Sequence, residues 1–147
     1  MKWVTRARPK TDRIACPWLI RRFIDPDAEI LYVPTGDVLT VEREQGAHGF
    51  DTPGARYDHR DGLCTFEVLI HDYELTGDAA LMRLSRAVHA ADIDTELHSD
   101  PLGPGLLAIG LGGLGAEADD HRLLDRASFV YDALYAWCQQ EVEAGRP

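Results

Sequence analysis

At 147 residues and 45% hydrophobic content, the chain has the size of one ordinary domain and can bury a core without disulfide staples. Fifteen Lys and Arg against twenty-five Asp and Glu leave a net charge of −10, which repels a nucleic-acid backbone and argues against nucleic acid as a partner of this chain by itself. Three cysteines are too few, and odd in number, for a disulfide framework, so reduced thiols in a cytoplasmic setting are expected.

The first 22 residues carry Lys2, Arg6, Arg8, Lys10, Arg13, Arg21 and Arg22 beside one acid, Asp12. This basic opening runs into no apolar segment of the kind a secretory signal needs. The longest uncharged stretch, Pro101 to Ala116, is too short and too rich in glycine to span a bilayer, so no membrane association is expected.

In chain order, Lys2 to Arg6 alternates as a strand does. Arg13 to Ile24 places Ile14, Trp18, Leu19 and Phe23 on an apolar side and predicts a helix that Pro17 must start or kink, closed by Asp25-Pro26. Ile30 to Val33 predicts a second strand, Asp37 to Gln45 a short helix ended by Gly46, and the chain through Phe50 and Tyr57 a loop or edge strand. Helices are expected at Thr65 to Tyr73, Asp78 to Ala91, Gly105 to Leu114 and Asp119 to Glu143. The expected fold is α+β and predominantly helical, one domain over residues 1–147 with a small N-terminal sheet covered by a helical bundle.

Polar residues on apolar faces are the candidates for chemistry. The last helix buries Leu123, Leu124, Ala127, Val130, Tyr131, Leu134 and Cys138, and turning about 100° per residue puts Asp120 in that stripe with His121 beside it. A carboxylate aimed at a core must be paired, bonded to backbone N–H groups or bound to metal, so either Asp120 or its neighbour Asp119 caps the helix, or Asp120 is a ligand. Asp92 lies at the edge of the apolar face of the helix that starts at Asp78, with His89 one turn earlier. That His-x-x-Asp spacing suits a two-ligand platform, or simply ends the helix in turn chemistry. Glu67 and His71 fall opposite Phe66, Leu69 and Ile70, a spacing for an exposed ion pair unless packing turns them inward.

Cys64 at a helix start gains thiolate character from the dipole or is a small buried residue. Arg13, Arg21 and Arg22 surround Pro17 and can either hold a tetrahedral oxyanion or pair with the acidic remainder of the fold. Cys16, near them, is the thiol to test first for redox reactivity. No Gly-x-Ser-x-Gly elbow or phosphate-binding loop is present, and Gly110 to Gly115 lack the preceding strand of a dinucleotide site.

The run Asp12-Arg13-Ile14-Ala15-Cys16-Pro17-Trp18-Leu19-Ile20-Arg21-Arg22-Phe23-Ile24-Asp25-Pro26, with Trp3 to Arg6 before it and Tyr32-Val33-Pro34 after it, resembles the C-terminal domain of chromate-resistance proteins of the ChrB type. His59, Cys64-Thr65-Phe66-Glu67, Ala91-Asp92, Asp119-Asp120-His121 and Tyr131 to Cys138 extend the likeness over practically the whole chain. The resemblance implies a role in resistance to, or sensing of, chromate. Larger relatives carry an N-terminal DNA-binding half, which is not expected here.

Combined with that resemblance, His59, Glu67, Asp92, Asp120 and His121 make a mixed imidazole and carboxylate set suited to iron, manganese or zinc. The expectation is a metal-binding domain in chromate and stress response, acting as a sensor or accessory module. Chromate or another oxyanion would be held by Arg13, Arg21 and Arg22 or detected by oxidation of Cys16 or Cys64. The alternative is a metal-dependent redox or hydrolytic enzyme. The exposed end of the last helix, Gln139 to Gly145, offers a surface for a homodimer.

Overall fold

In the computed structural model, which describes all 147 residues, Lys2–Arg6 forms β1 and buries Trp3, Val4 and Thr5. The chain crosses through α1 (Asp12–Leu19) and returns as β2 (Glu29–Val33), parallel to β1 with Trp3 opposite Ile30 and Thr5 opposite Tyr32. Parallel neighbours need such a crossover, and α1 supplies it. After α2 (Val38–Gln45), Gly46 turns the chain at φ +63°, in the left-handed region that glycine enters without strain. The two-residue strand β3 (His48–Gly49) then pairs with the free edge of β1, giving an all-parallel sheet of order β2-β1-β3.

Pro17 does not break its helix. It is buried inside α1, and the helix continues as a π-turn over Ile20–Ile24, closed by the Asp25 N–H on the Ile20 carbonyl at 2.7 Å. Proline has no N–H to offer the Arg13 carbonyl one turn back. The Tyr32 hydroxyl of β2 takes that place, donating to the Arg13 carbonyl at 2.8 Å and fastening α1 to the sheet.

Four helices complete the fold: α3 (Thr65–Asp72), α4 (Ala79–Asp92), α5 (Gly103–Ala116) and α6 (Asp120–Glu143). Asp78 caps α4 by accepting the Leu81 N–H at 2.9 Å, and its other oxygen accepts the Tyr135 hydroxyl of α6 at 2.5 Å. Trp18 of α1 donates its indole N–H to Asp132 of α6 at 2.8 Å. These polar ties hold α1 and α4 on the same side of α6, around one contiguous core of 28 buried residues.

The start of α5 presses on α4 at Gly103, where a Cβ would lie 2.3 Å from the Leu97 carbonyl oxygen and 2.9 Å from the Ala90 Cβ. The buried pair of Arg83 and Asp100, 2.8 Å apart, fixes the same junction. The architecture is α+β and mostly helical, with the small sheet at the N-terminal side, as the hydrophobic pattern indicates. No helix is long and apolar enough to cross a membrane.

Candidate metal centre

Four segments far apart in sequence converge where the N-termini of α1 and α3 meet the C-terminus of α4. His59, from the loop before α3, places Nε2 3.1 Å from Asp92 Oδ2, 3.3 Å from Asp51 Oδ1 and 3.8 Å from Asp12 Oδ2. One ligand atom from each of Asp12, Asp51, His59 and Asp92 lies within 4.8 Å of the others. Three carboxylates at this separation repel one another strongly, and the cluster is largely withdrawn from water.

Asp12 and Asp92 are each held by one neutral donor, whereas Asp51 also pairs through Oδ2 with the Arg6 guanidinium at 3.3 Å. Asp12 Oδ2 accepts the Thr65 backbone N–H at 2.9 Å, at the positive end of α3. Asp51 Oδ1 accepts the Thr65 hydroxyl at 3.0 Å, and Asp92 Oδ1 accepts the Thr11 hydroxyl at 2.9 Å. One holder and one ligand sit on strained backbone: Thr11 has φ +45° and Asp51 φ +50°, conformations that residues with a Cβ rarely adopt.

Asp12 stands out. It is fully buried, and its Oδ1 has no hydrogen-bond partner at all. Burial, then the Asp92 and Asp51 charges, push its pKa well above the usual carboxylate range. Burial and Asp51 also raise Asp92. Asp51 goes the other way, because bonds from His59 and Thr65 and the nearby Arg6 outweigh its burial. The bond to Asp51, reinforced by the Asp92 charge, raises His59 against its partial burial.

Of the residues expected from the sequence, His59 and Asp92 meet in this cluster. Glu67 does not join them: its carboxylate accepts the Cys64 N–H at 3.0 Å and faces His89 rather than forming an exposed pair with His71. Asp120 is neither cap nor member of the cluster. Asp119 caps α6, accepting the Arg122 N–H at 2.9 Å, while Asp120 accepts the Arg8 backbone N–H at 3.0 Å and the Arg8 guanidinium at 2.8 Å. His121 is exposed, its ring edge-on to Tyr32 at 5.5 Å.

The arginines part company as well. Arg13 lies at the cluster, with Nε 3.7 Å from Asp51 Oδ2 and one Nη donating to the Ala7 carbonyl at 2.9 Å. Arg21 donates to the Ala28 carbonyl, and Arg22 stacks over Trp18, Phe23 and Tyr135 beside Asp132. Both line a shallow depression of about 240 Å³ away from the carboxylates. Cys16 and Cys64 are fully buried. Burial, then Asp12, pushes both thiols up, so neither acquires the thiolate character expected near arginines or a helix start.

Asp12 and Asp51 were not legible as ligands. Asp12 sits in the long Asp12 to Pro26 motif as an apparent helix-start acid, and Asp51 in a loop of Asp, Thr, Pro and Gly that reads as turn chemistry.

The chain matches the family model described as ChrB, C-terminal domain, over residues 3–138. It is 37% identical over 134 residues to the protein named Protein ChrB of Cupriavidus metallidurans strain CH34, a match covering 91% of this chain and 40% of that relative. The chain therefore spans well under half the length of that curated relative. No solved structure matches. The family match over nearly the whole length and the identity to a ChrB protein place the chain in the ChrB C-terminal domain family.

Proposed function

We propose that the domain holds a divalent transition metal through Asp12, Asp51, His59 and Asp92 and acts in chromate resistance, in the cytoplasm, as a sensor or accessory module. The observation that carries the metal reading is Asp12: a fully buried carboxylate with one unpartnered oxygen, facing two more carboxylates. An apo cluster of this kind is costly, and a divalent cation supplies both the missing charge and the missing partner. Three oxygen donors and one imidazole favour manganese or iron over a thiophilic ion. The chromate setting follows from family membership.

His59 is 42% exposed, so the cluster opens to solvent on that side. Arg6 and Arg13, both on Asp51 Oδ2, add positive charge beside the cluster that favours the approach of chromate or another oxyanion. The same opening favours a second reading, in which an exchangeable position on the metal supports redox or hydrolytic turnover. Equilibrium dialysis of metal-stripped protein against manganese and iron(II) tests the binding. One equivalent retained by the wild type and lost in Asp12→Asn and Asp92→Ala supports the site, and no retention by the wild type overturns it. Catalysed loss of chromate or of a generic phosphoester by the loaded protein, absent in Asp92→Ala, would select the enzyme over the sensor.

A further inference from the structure

Two adjacent residues at the start of α3 and two residues one turn apart on α4 divide their side chains between two sides. Thr65, through its hydroxyl on Asp51, and Asp92 serve the cluster described above. Cys64 and His89 turn instead toward Glu67, and one ligand atom from each of these three lies within 4.8 Å of the other two. His89 Nδ1 contacts Glu67 Oε1, while its Nε2 contacts Glu96 Oε2.

We propose that Cys64, Glu67 and His89 form a second cation site, chemically distinct from the first, that takes a borderline ion of the zinc class. A thiolate, a carboxylate and an imidazole are the donors such an ion uses, and three protein ligands with water in the fourth position are a recurring arrangement. The Cys64 thiol gives its proton to solvent as the metal–sulfur bond forms, with no change of oxidation state. One thiolate and one carboxylate then balance the charge of the ion in a site whose Cys64 is fully buried.

The surrounding geometry suits this use. Glu67 is fixed by the capping box of α3, in which it accepts the Cys64 N–H at 3.0 Å. His89 would bind through Nδ1, and its remaining N–H is directed at Glu96, the carboxylate–histidine arrangement that orients metal-bound imidazoles. The side chains of His89 and Glu67 are 17% and 18% exposed and Glu96 is 49% exposed, which gives an ion a way in. The site shares helices with the first cluster but none of its ligands.

Cobalt(II) titration of the reduced, metal-free full chain tests the proposal. The expected result is a near-ultraviolet thiolate-to-cobalt charge-transfer band that saturates at one equivalent and is displaced by zinc. It disappears in Cys64→Ser and His89→Ala and persists in His59→Ala and Asp92→Ala. Glu96→Gln weakens cobalt binding about 10–100-fold without removing the band. His89→Ala, a change at a half-buried position, keeps the test open where Cys64→Ser fails to fold, with circular dichroism reporting the fold. No band in the wild type, or a band that survives His89→Ala, overturns the second site. A band lost equally in His89→Ala and Asp92→Ala also overturns it, because it indicates one shared site.

Discussion

Thr11 and Asp92 are joined across 81 residues by a 2.9 Å hydrogen bond from the threonine hydroxyl to Asp92 Oδ1, which leaves Oδ2 facing His59. Thr11 makes this bond from a strained backbone at φ +45°, just before α1, so the loop after β1 is bent to aim a donor at the end of α4. Strain of this kind persists only where surrounding structure enforces it. Thr11→Ala should weaken metal binding about 10–100-fold, as loss of an orienting partner does, while Thr11→Ser should keep it. Calorimetric titration with manganese measures the difference.

Asp12 makes the metal-free domain sensitive to pH. The Asp12 and Asp92 pKa values are raised in the folded state, so each binds its proton more tightly folded than unfolded. The folded form therefore loses stability as pH rises above the ordinary carboxylate value of 3.8 toward their raised values. His59, raised above 6.5, adds a contribution present below that pH and lost as pH rises through its folded value. Asp51 has the opposite sign: its lowered pKa contributes stability above 3.8 that is lost on acidification. Thermal melts should show metal-free Asp12→Asn more stable than wild type at neutral pH, with the gap narrowing as pH falls. Added metal should reverse the order at neutral pH, because only the wild type binds it.

Arg8 and Asp120 are expected to matter for folding and not for metal. Arg8 donates to the carbonyls of Leu114, Ala118 and Glu117 at the end of α5 and to Asp120 at the start of α6, so one side chain satisfies a helix C-terminus and grips the next helix. Asp120→Ala leaves the Arg8 N–H without its acceptor and should cost about 1–3 kcal/mol in denaturant unfolding. Metal uptake by the variant should match the wild type.

Tyr32 separates the architecture of α1 from the chemistry beside it. Tyr32→Phe removes the only hydroxyl that answers the Arg13 carbonyl opposite Pro17 and should cost about 1 kcal/mol. Chemical denaturation reads this loss, and manganese titration should show no accompanying change in affinity. Breaking the buried pair by Asp100→Ala should be more severe, about 3–5 kcal/mol, since Arg83 is left charged and buried.

The elements were legible because their signals are local. Gly46 ends α2, Asp78 and Asp119 start α4 and α6, and the apolar stripe of Leu123, Leu124, Tyr131 and Cys138 faces the core. His59 and Asp92 were legible as candidate ligands because family likeness singled out both and Asp92 also sat at an apolar edge. Asp12 and Asp51 were not, because nothing in the sequence spacing says that Thr65 will hold both carboxylates against His59. Asp120 misled for a related reason: its inward position is real, but the group it meets is Arg8, 112 residues away. Helix periodicity reports which way a side chain points and is silent on what meets it there.

The most direct test of the central claim is a crystal structure of the protein soaked in manganese, with the metal located by its anomalous scattering. A single strong peak bonded to Asp12, Asp51, His59 and Asp92 is the predicted result. A fully ordered cluster with no peak, or a peak elsewhere with Asp12 Oδ1 still unpartnered, would contradict it.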